Sequence, residues 1–257
     1  MIEVKSLSYL YHPKTPFQTP ALNEISFNIN PGEIVGLIGP GGSGKSCLLR
    51  CLAGILTPTA GEVLIDNRPP QPENVGLIIQ EPEVQFFYET VYREIAFALE
   101  YRGLNRKLID RTVSDLLAKF NCLDKIGESP FRLSGGEQRR VAIAGILALN
   151  PEILLMDEPT VGLDVKGLEL ISRIIEEYRS EGKTLVIVSH DLDFLYPRVE
   201  RYLVLNRGRL IADFAKSDYH HYLELLQEIG LGLPELAELK RRELPVEILQ
   251  SLMDLGL

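Results

Sequence analysis

The sequence predicts an α/β fold, and three observations carry this prediction. An apolar, strand-like run at residues 33–38 leads into a glycine-rich loop and then into a helix-like segment. From about residue 135 to residue 188, helical and strand-like segments alternate, which is typical of a parallel sheet with helices on its faces. The apolar share of 45% over 257 residues is enough for a large core.

The order of elements follows from hydrophobic periodicity and turn residues. We expect strands at residues 2–7, 25–29, 33–38, 61–66, 75–79, 153–156 and 184–188, and a hairpin of 202–205 with 209–213. Residues 91–120 have helical spacing that is interrupted near Gly103, so two helices are predicted there; others are predicted from about 135 and across 168–181. The leucine-rich part after residue 216 is also predicted to be helical.

Net charge and the length of the apolar runs disfavour several classes of function. The net charge of −9 disfavours a nucleic-acid surface, which needs a basic face. Two small basic clusters, Arg132 with Arg139 and Arg140, and residues 240–242, are interpreted as solvated helix faces. The longest apolar runs are shorter than the roughly 18 residues that span a bilayer, and the amino end lacks the pattern of a secretory signal.

The cysteines do not form a metal-binding pattern. Cys47, Cys51 and Cys122 are odd in number and lack metal-ligand spacing, although the first two are one helical turn apart. We expect buried, reduced thiols at these three positions.

Residues 39–46 match the phosphate-binding pattern GxxxxGK[ST] between a strand and a helix. Backbone N–H groups of such a loop, together with the helix N-terminus, can surround a di- or triphosphate. Lys45 can contact the β- and γ-phosphates, and the Ser46 hydroxyl can coordinate Mg²⁺. A merely tight turn is the alternative. The predicted nucleotide-binding residues of the loop are Gly39, Gly41, Gly42, Ser43, Gly44, Lys45, Ser46 and the following Cys47.

A second motif places two acids at the end of a buried strand. Residues 153–158 form an apolar run that ends in Asp157 and Glu158, a Walker B arrangement. Asp157 is predicted to hold Mg²⁺, and Glu158 to polarise the water that attacks the γ-phosphate. Paired acids also occur at ordinary strand ends and helix caps, which is the alternative interpretation.

Residues 133–137, Leu-Ser-Gly-Gly-Glu, begin a predicted helix and resemble the signature of ATP-binding-cassette (ABC) ATPases. The alternative is a helix cap by Ser134. The Walker B motif, Gly162-Leu163-Asp164 and Ser189-His190-Asp191 follow at the family's spacing, so the resemblance extends over nearly residues 1–215. It implies an N-terminal antiparallel β subdomain, a RecA-like parallel-sheet core and a helical insertion at about 91–150. Residues 216–257 are then a C-terminal helical extension, a candidate for dimerisation.

The resemblance also implies a shared site. In this family ATP with Mg²⁺ lies between the P-loop of one subunit and the signature of another, here Ser134, Gly135 and Gly136, so a dimer is expected. Asp164 resembles the acid that communicates between the two sites, and His190 resembles the histidine that contacts the γ-phosphate.

Two further residues are carried over from the family. Gln80 resembles the glutamine that contacts Mg²⁺ or the attacking water, with a plain surface glutamine as the alternative. Tyr11 is the candidate for stacking on adenine, with Tyr9 and Phe17 as rivals. Cys47 stands where the family usually has threonine.

Residues 80–97 resemble the corresponding segment of energy-coupling-factor (ECF) transporter ATPases, which serve vitamin and transition-metal importers. The resemblance implies a peripheral protein at the cytoplasmic face of the cell membrane. It pairs with itself or with a paralogous ATPase, and it docks a transmembrane coupling subunit that works with a substrate-binding membrane subunit. The predicted docking residues are Phe86, Phe87, Tyr88, Glu81, Glu83 and Glu89. An aromatic core cluster rimmed by solvated acids is the alternative.

The rival function is a soluble, non-transport ABC ATPase of iron–sulfur assembly, translation or DNA repair. The acidic charge opposes it, as does the lack of a long coiled-coil insertion or a second cassette. A regulator that does not hydrolyse ATP conflicts with the presence of both Glu158 and His190. The transported substrate does not follow from the sequence.

Overall fold

The computed structural model describes residues 1–71, 74–81, 86–232 and 234, which form two sheets with surrounding helices. The strands are β1 Ile2–Tyr11, β2 Thr19–Ile29, β3 Ile34–Ile38, β4 Ala60–Ile65, β5 Val75–Ile78, β6 Ile153–Asp157, β7 Thr184–Val188, β8 Arg201–Asn206 and β9 Arg209–Ala215. The α-helices are α1 Lys45–Leu52, α2 Val91–Tyr101, α3 Arg106–Lys119, α4 Gly135–Ala148, α5 Val165–Ser180, α6 Leu192–Leu195 and α7 Leu223–Glu228. Short 3₁₀ helices occupy Leu123–Lys125, Pro130–Arg132 and Lys216–Tyr222.

The smaller sheet is antiparallel, with the order β2-β1-β4, as the family resemblance implies. Strand β2 begins at Thr19, so the prediction that it begins at residue 25 was wrong. Thr19 pairs with Tyr11 and Pro20 pairs with Leu10, so the strand continues wherever β1 offers a partner. This pairing joins residues close to the turn and is not visible in the hydrophobic alternation of β2 alone.

The larger sheet has the order β5-β6-β7-β3-β8-β9, in which the first five strands are parallel and β9 is antiparallel to β8. Every residue of β3, β6 and β7 is buried, as expected for strands covered on both faces. The predicted parallel sheet and the predicted hairpin are both confirmed. Because β6, β7 and β3 are neighbours, the loops that follow them meet at one edge of the sheet.

Helices α2, α3 and α4 pack on one another and on the larger sheet's core. Gly103 has a φ of +74°, and the Asn105 side chain accepts a hydrogen bond from the N–H of Leu108 to begin α3. The predicted interruption between two helices is therefore confirmed. The extent of a separate helical subdomain at about 91–150 stays a prediction.

Helix α5 begins at Val165, three residues before the predicted start at 168. The carboxylate of Asp164 accepts a hydrogen bond from the N–H of Gly167 at 2.8 Å, and this cap defines the first turn. The exposed Val165 does not contribute to the apolar stripe of the helix, so periodicity alone placed the start too late.

The segment after β9 packs on its own chain. Tyr219 is buried against Tyr196, Tyr202 and Phe214, and Tyr222 stacks on Phe214 with ring centroids 4.1 Å apart. Residues 233 and 235–257, which include the basic cluster at 240–242, lie outside the described residues. A dimerising role for the extension therefore stays a prediction, as does the domain boundary at residue 215.

Two simpler expectations have clear outcomes. The three cysteines are buried and free of disulfides, as predicted. In the part of the chain that the structure describes, no helix has the length and apolar character needed to cross a bilayer.

Candidate functional site

The glycine-rich loop turns tightly between β3 and α1. Gly39, Gly42 and Gly44 all have φ values that side chains disfavour, at +152°, +73° and +105°. The buried ammonium of Lys45 donates hydrogen bonds to the carbonyls of Gly39 at 2.7 Å and Pro40 at 3.0 Å. Its burial lowers the pKa of Lys45, an effect that nearby carboxylates oppose. The loop thus presents a positive charge and backbone N–H groups beside the helix N-terminus.

The two acids at the end of β6 lie beside this loop. Glu158 has a φ of +50°, and its backbone N–H donates to the carbonyl of Val188 at 2.9 Å. One carboxylate oxygen accepts from the backbone N–H of His190 at 3.1 Å, and the other lies 3.3 Å from the His190 Nε2. Burial raises the pKa of Glu158, which the His190 N–H and imidazole oppose. A raised pKa suits a carboxylate to general-base chemistry.

A cleft of about 480 Å³ joins the two motifs. The predicted site residues that line it are Tyr11, Gly41, Gly42, Ser43, Gly44, Lys45, Ser46, Cys47, Gln80, Asp157, Glu158 and His190. Residues 134–136, Asp164 and Gly39 are outside this lining; Gly39 lies behind the loop, where its carbonyl holds Lys45. One chain therefore assembles the P-loop, Walker B, glutamine and histidine, but it does not bring the signature to the same cleft.

The signature begins α4 with a capping box. The backbone N–H and the hydroxyl of Ser134 both donate to the Glu137 carboxylate, at 2.9 and 2.7 Å, and Ser134 caps the third residue of the helix. The helix cap considered as the alternative function of Ser134 is thus present. Gly136 and Asp164 line a separate cavity of about 140 Å³.

Tyr11 lies in the cleft, whereas its rivals Tyr9 and Phe17 do not line it. The Tyr11 ring meets Tyr9 edge-on at 5.0 Å, and Phe17 is 78% exposed in the following loop. This placement supports Tyr11 as the aromatic residue for adenine.

Sequence reasoning missed five residues of the cleft lining, namely Thr19, Pro20, Ala21, Val161 and Val188. The first three reach the cleft because β2 begins early and pairs with β1 near Tyr11. Val188 is the last residue of β7 and is paired with Asp157 of β6. Its position at the end of a predicted strand is the signal from which the sequence could have identified it.

The interpretation of Arg139 as part of a solvated helix face was wrong. Arg139 is only 8% exposed, and its guanidinium donates to backbone carbonyls of the segment that follows Glu158. Arg139 is the fifth residue of α4, and the local sequence gives no signal of its burial, because its acceptors are backbone atoms about 20 residues away.

The predicted docking segment is partly exposed and partly core. Phe86 is buried, so the prediction that it anchors a partner was wrong; it packs edge-on against Phe131. Phe87 is 84% exposed, and Tyr88 stacks at a tilt on Phe97. The backbone N–H groups of Phe87 and Tyr88 both donate to the Glu94 carboxylate of α2, at 3.0 and 2.9 Å, which holds this segment on the helix.

Two of the three acids of the segment lie within the described residues. Glu81 and Glu89 are exposed, while Glu83 falls within residues 82–85, outside the described residues. The exposed apolar surface extends along α2 to Phe97 and Tyr101, the latter 78% exposed. We call Phe87, Phe97 and Tyr101 the aromatic surface.

Comparison with known proteins shows the family to which the chain belongs. The family model described as ABC transporter matches residues 22–161. The chain belongs to the ABC transporter family. The "Energy-coupling factor transporter ATP-binding protein EcfA2" of Acetivibrio thermocellus is 40% identical over 250 residues, covering 94% of this chain and 89% of the relative.

Solved structures agree with this assignment. The structure of cbiO1 from Clostridium perfringens, described as part of the ABC transporter complex cbiONQ, has a TM-score of 0.72 and 31% identity, covering 93% of this chain and 98% of that one. A dimeric ATP-binding cassette in a post-hydrolysis state with ADP and Pi has a TM-score of 0.76 and 28% identity, covering 84% and 99%.

These findings confirm the predicted fold and activity. The chain is an ATP-binding and ATP-hydrolysing ABC subunit of the energy-coupling-factor type, and its ATPase activity is coupled to transport. The rival interpretation as a non-transport ATPase is not favoured.

Proposed function

We propose that this ATPase works as a pair of cassettes at the cytoplasmic face of the cell membrane and powers an importer of a vitamin or a transition-metal ion. The second cassette is another copy of this chain or a paralogue. A transmembrane coupling subunit and a substrate-binding membrane subunit complete the transporter. The observation that carries the paired mechanism is that the cleft with Lys45 and Glu158 lacks the signature residues of the same chain.

The cleft supports a division of labour among its residues. The P-loop amides and Lys45 bind the phosphates, because they combine N–H donors, a helix N-terminus and a buried cation. Tyr11 stacks on adenine. Glu158 accepts the proton of the attacking water, and His190, whose imidazole lies 3.3 Å from that carboxylate, orients the same water and contacts the γ-phosphate.

The donor set also fits Mg²⁺. Asp157 Oδ1 is buried and has no hydrogen-bond partner among the described residues, and Ser46 and Gln80, whose side chains each carry an oxygen, line the same cleft. Mg²⁺ needs only a few oxygen ligands from the protein, because it is commonly bound by one or two carboxylates together with substrate phosphates. Mg²⁺ would neutralise phosphate charge there, held by Asp157, Ser46 and Gln80.

A second cassette would complete the site. Its Ser134, Gly135 and Gly136 would present a helix N-terminus and backbone amides to the γ-phosphate. Apart from its two chain neighbours and the backbone of its own helix, no heavy atom of the described residues lies within 4 Å of a Cβ built on Gly135, so this glycine is open to approach. Near Asp164, Val161 and Val165 are 46% and 72% exposed, and a facing cassette would cover them.

The aromatic surface supports docking of the membrane subunit. Large exposed aromatic side chains act as anchors in protein interfaces, and Glu81 and Glu89 can pair with arginines on the partner. The exposed Phe87 is the residue on which this proposal depends most.

The paired mechanism is tested with Glu158→Gln, which removes the base but keeps the size of the side chain. We expect ATP to shift this variant from monomer to dimer in size-exclusion chromatography, while phosphate release falls by about 10²–10³. Normal hydrolysis by the variant would refute the role of Glu158. A monomer with ATP bound would refute the paired site.

The transport assembly is tested by affinity purification from detergent-solubilised membranes, with mass spectrometry of the bound subunits. We expect integral membrane subunits with the wild type and about tenfold less with Phe87→Ser. The exposed Phe17→Ser, far from this surface in sequence, is the matched control. Recovery only with ribosomes or nucleic acid would refute the transporter assignment.

A further inference from the structure

Arg139 joins the signature helix to the segment that carries Glu158, the proposed general base. Its Nη1 donates to the carbonyl of Val161 at 3.1 Å, and its Nη2 donates to those of Pro159 at 3.0 Å and Glu158 at 3.4 Å. One buried guanidinium thus spans the whole turn from residue 158 to residue 161. The planar fork of arginine suits this geometry, because its two terminal nitrogens reach carbonyls on both sides of the turn.

The backbone conformation of this turn needs stabilising contacts. Glu158 has a φ of +50°, which is disfavoured for a residue with a Cβ, and it precedes Pro159, which favours an extended conformation in the residue before it. Such conformations persist where the surroundings determine them. On one side the Glu158 N–H bonds to Val188 of β7, and on the other its carbonyl is bonded by Arg139.

The direction of the Glu158 carboxylate depends on this backbone. One oxygen accepts from the N–H of His190 at 3.1 Å, and the other lies 3.3 Å from the His190 imidazole. A rotation of the backbone at residue 158 would move the carboxylate away from both. Small displacements of a catalytic group reduce rate strongly even when substrate binding is kept.

We propose that Arg139 is a positioning residue for ATP hydrolysis, which holds the turn at residues 158–161 and thereby aims the Glu158 carboxylate at the attacking water. Arg139 does not line the nucleotide cleft of its own chain; it lines the separate cavity with Gly136 and Asp164, so within the chain it reaches that cleft only through the turn that carries Glu158. The inference rests on the proposed role of Glu158 as the base.

The first experiment measures steady-state ATP hydrolysis by the full-length chain with Arg139→Gln and Arg139→Lys. We expect Arg139→Gln to lower kcat by roughly tenfold to a hundredfold, with the KM for ATP changed less than about threefold. Arg139→Lys keeps the charge and a single donor group, so its kcat should lie between the wild type and Arg139→Gln. The control is Arg111→Gln, an exposed arginine on α3, which should leave kcat unchanged.

The second experiment is a double-mutant cycle under single-turnover conditions. If Arg139 acts through Glu158, adding Arg139→Gln to Glu158→Gln should change the remaining rate by less than about twofold. Equal, independent reductions in both backgrounds would overturn the proposal, as would a raised KM with kcat unchanged. If Arg139→Gln does not fold by circular dichroism, Arg139→Lys enters the same cycle with the same expectations.

Different results would refute the role of Glu158 and the role of Arg139. Normal hydrolysis by Glu158→Gln would refute the role of Glu158 itself. An inactive Glu158→Gln together with a fully active Arg139→Gln would refute the positioning role of Arg139 alone.

Discussion

Replacement of Gly39 by alanine tests the geometry of the phosphate-binding loop. Gly39 has a φ of +152°, and a Cβ built on it lies 2.0 Å from the carbonyl oxygen of Leu205 and 2.9 Å from the Ser43 hydroxyl. Since the first contact is with backbone of β8, no rotation of a side chain can relieve it. Either the loop or the strand must move.

The expected cost comes from two sources. The disfavoured backbone conformation costs about 1–3 kcal/mol for a residue with a Cβ. Overpacking against a fixed backbone costs about 1–3 kcal/mol more. The free energy of unfolding should therefore fall by about 2–6 kcal/mol, which lowers Tm by between about 4 and about 24 °C in a chain of this size.

The assay is thermal unfolding without nucleotide, followed by circular dichroism. Gly41→Ala is the matched control, because no heavy atom of the described residues other than its two chain neighbours lies within 4 Å of its added Cβ, and its φ is not positive. We expect its Tm to stay within about 2 °C of the wild type. If Gly39→Ala has the same Tm as Gly41→Ala, the close approach between the loop and β8 is refuted. Movement of Gly39 also displaces the carbonyl that accepts from Lys45, so ATP affinity should fall in the same variant.

Two further predictions follow from buried groups. Burial raises the pKa of Glu158, and only the ionised carboxylate can act as the base. We therefore expect kcat to fall with decreasing pH, with an apparent pKa above the ordinary value for glutamate. A pH–rate profile in which kcat falls only at or below that ordinary value would contradict this. The Tyr219 hydroxyl is buried without a hydrogen-bond partner among the described residues, so Tyr219→Phe should raise the free energy of unfolding by about 1 kcal/mol. A lower Tm of that variant in calorimetry would show that the hydroxyl is satisfied.

Much of the fold could be predicted because its signals are local. The apolar runs of β3, β6 and β7 are short, continuous and bounded by turn residues, which is what strands covered on both faces require. The boundaries were less predictable. The early start of β2 depends on pairing with β1, and the start of α5 depends on the Asp164 cap, neither of which alters the apolar pattern.

The aromatic segment shows the same division. Phe86 and Phe87 are adjacent and chemically identical, yet one is buried against Phe131 and the other is 84% exposed. Sequence could mark the segment as a docking candidate, but it could not divide the two rings between core and surface. That division depends on the path of the backbone, which Glu94 fixes by accepting hydrogen bonds from Phe87 and Tyr88.

The sequence by itself determined which chemical groups meet in the cleft. Lys45, Ser46, Asp157, Glu158 and His190 follow strands at spacings that bring an ammonium, a hydroxyl, two carboxylates and an imidazole to one edge of a parallel sheet. Tertiary structure alone decided that Ser134 stays outside that cleft and that Arg139 is buried against the turn after Glu158. Motif residues depend on local spacing along the chain. Burial and separation depend on packing between segments far apart in sequence, which no short pattern records.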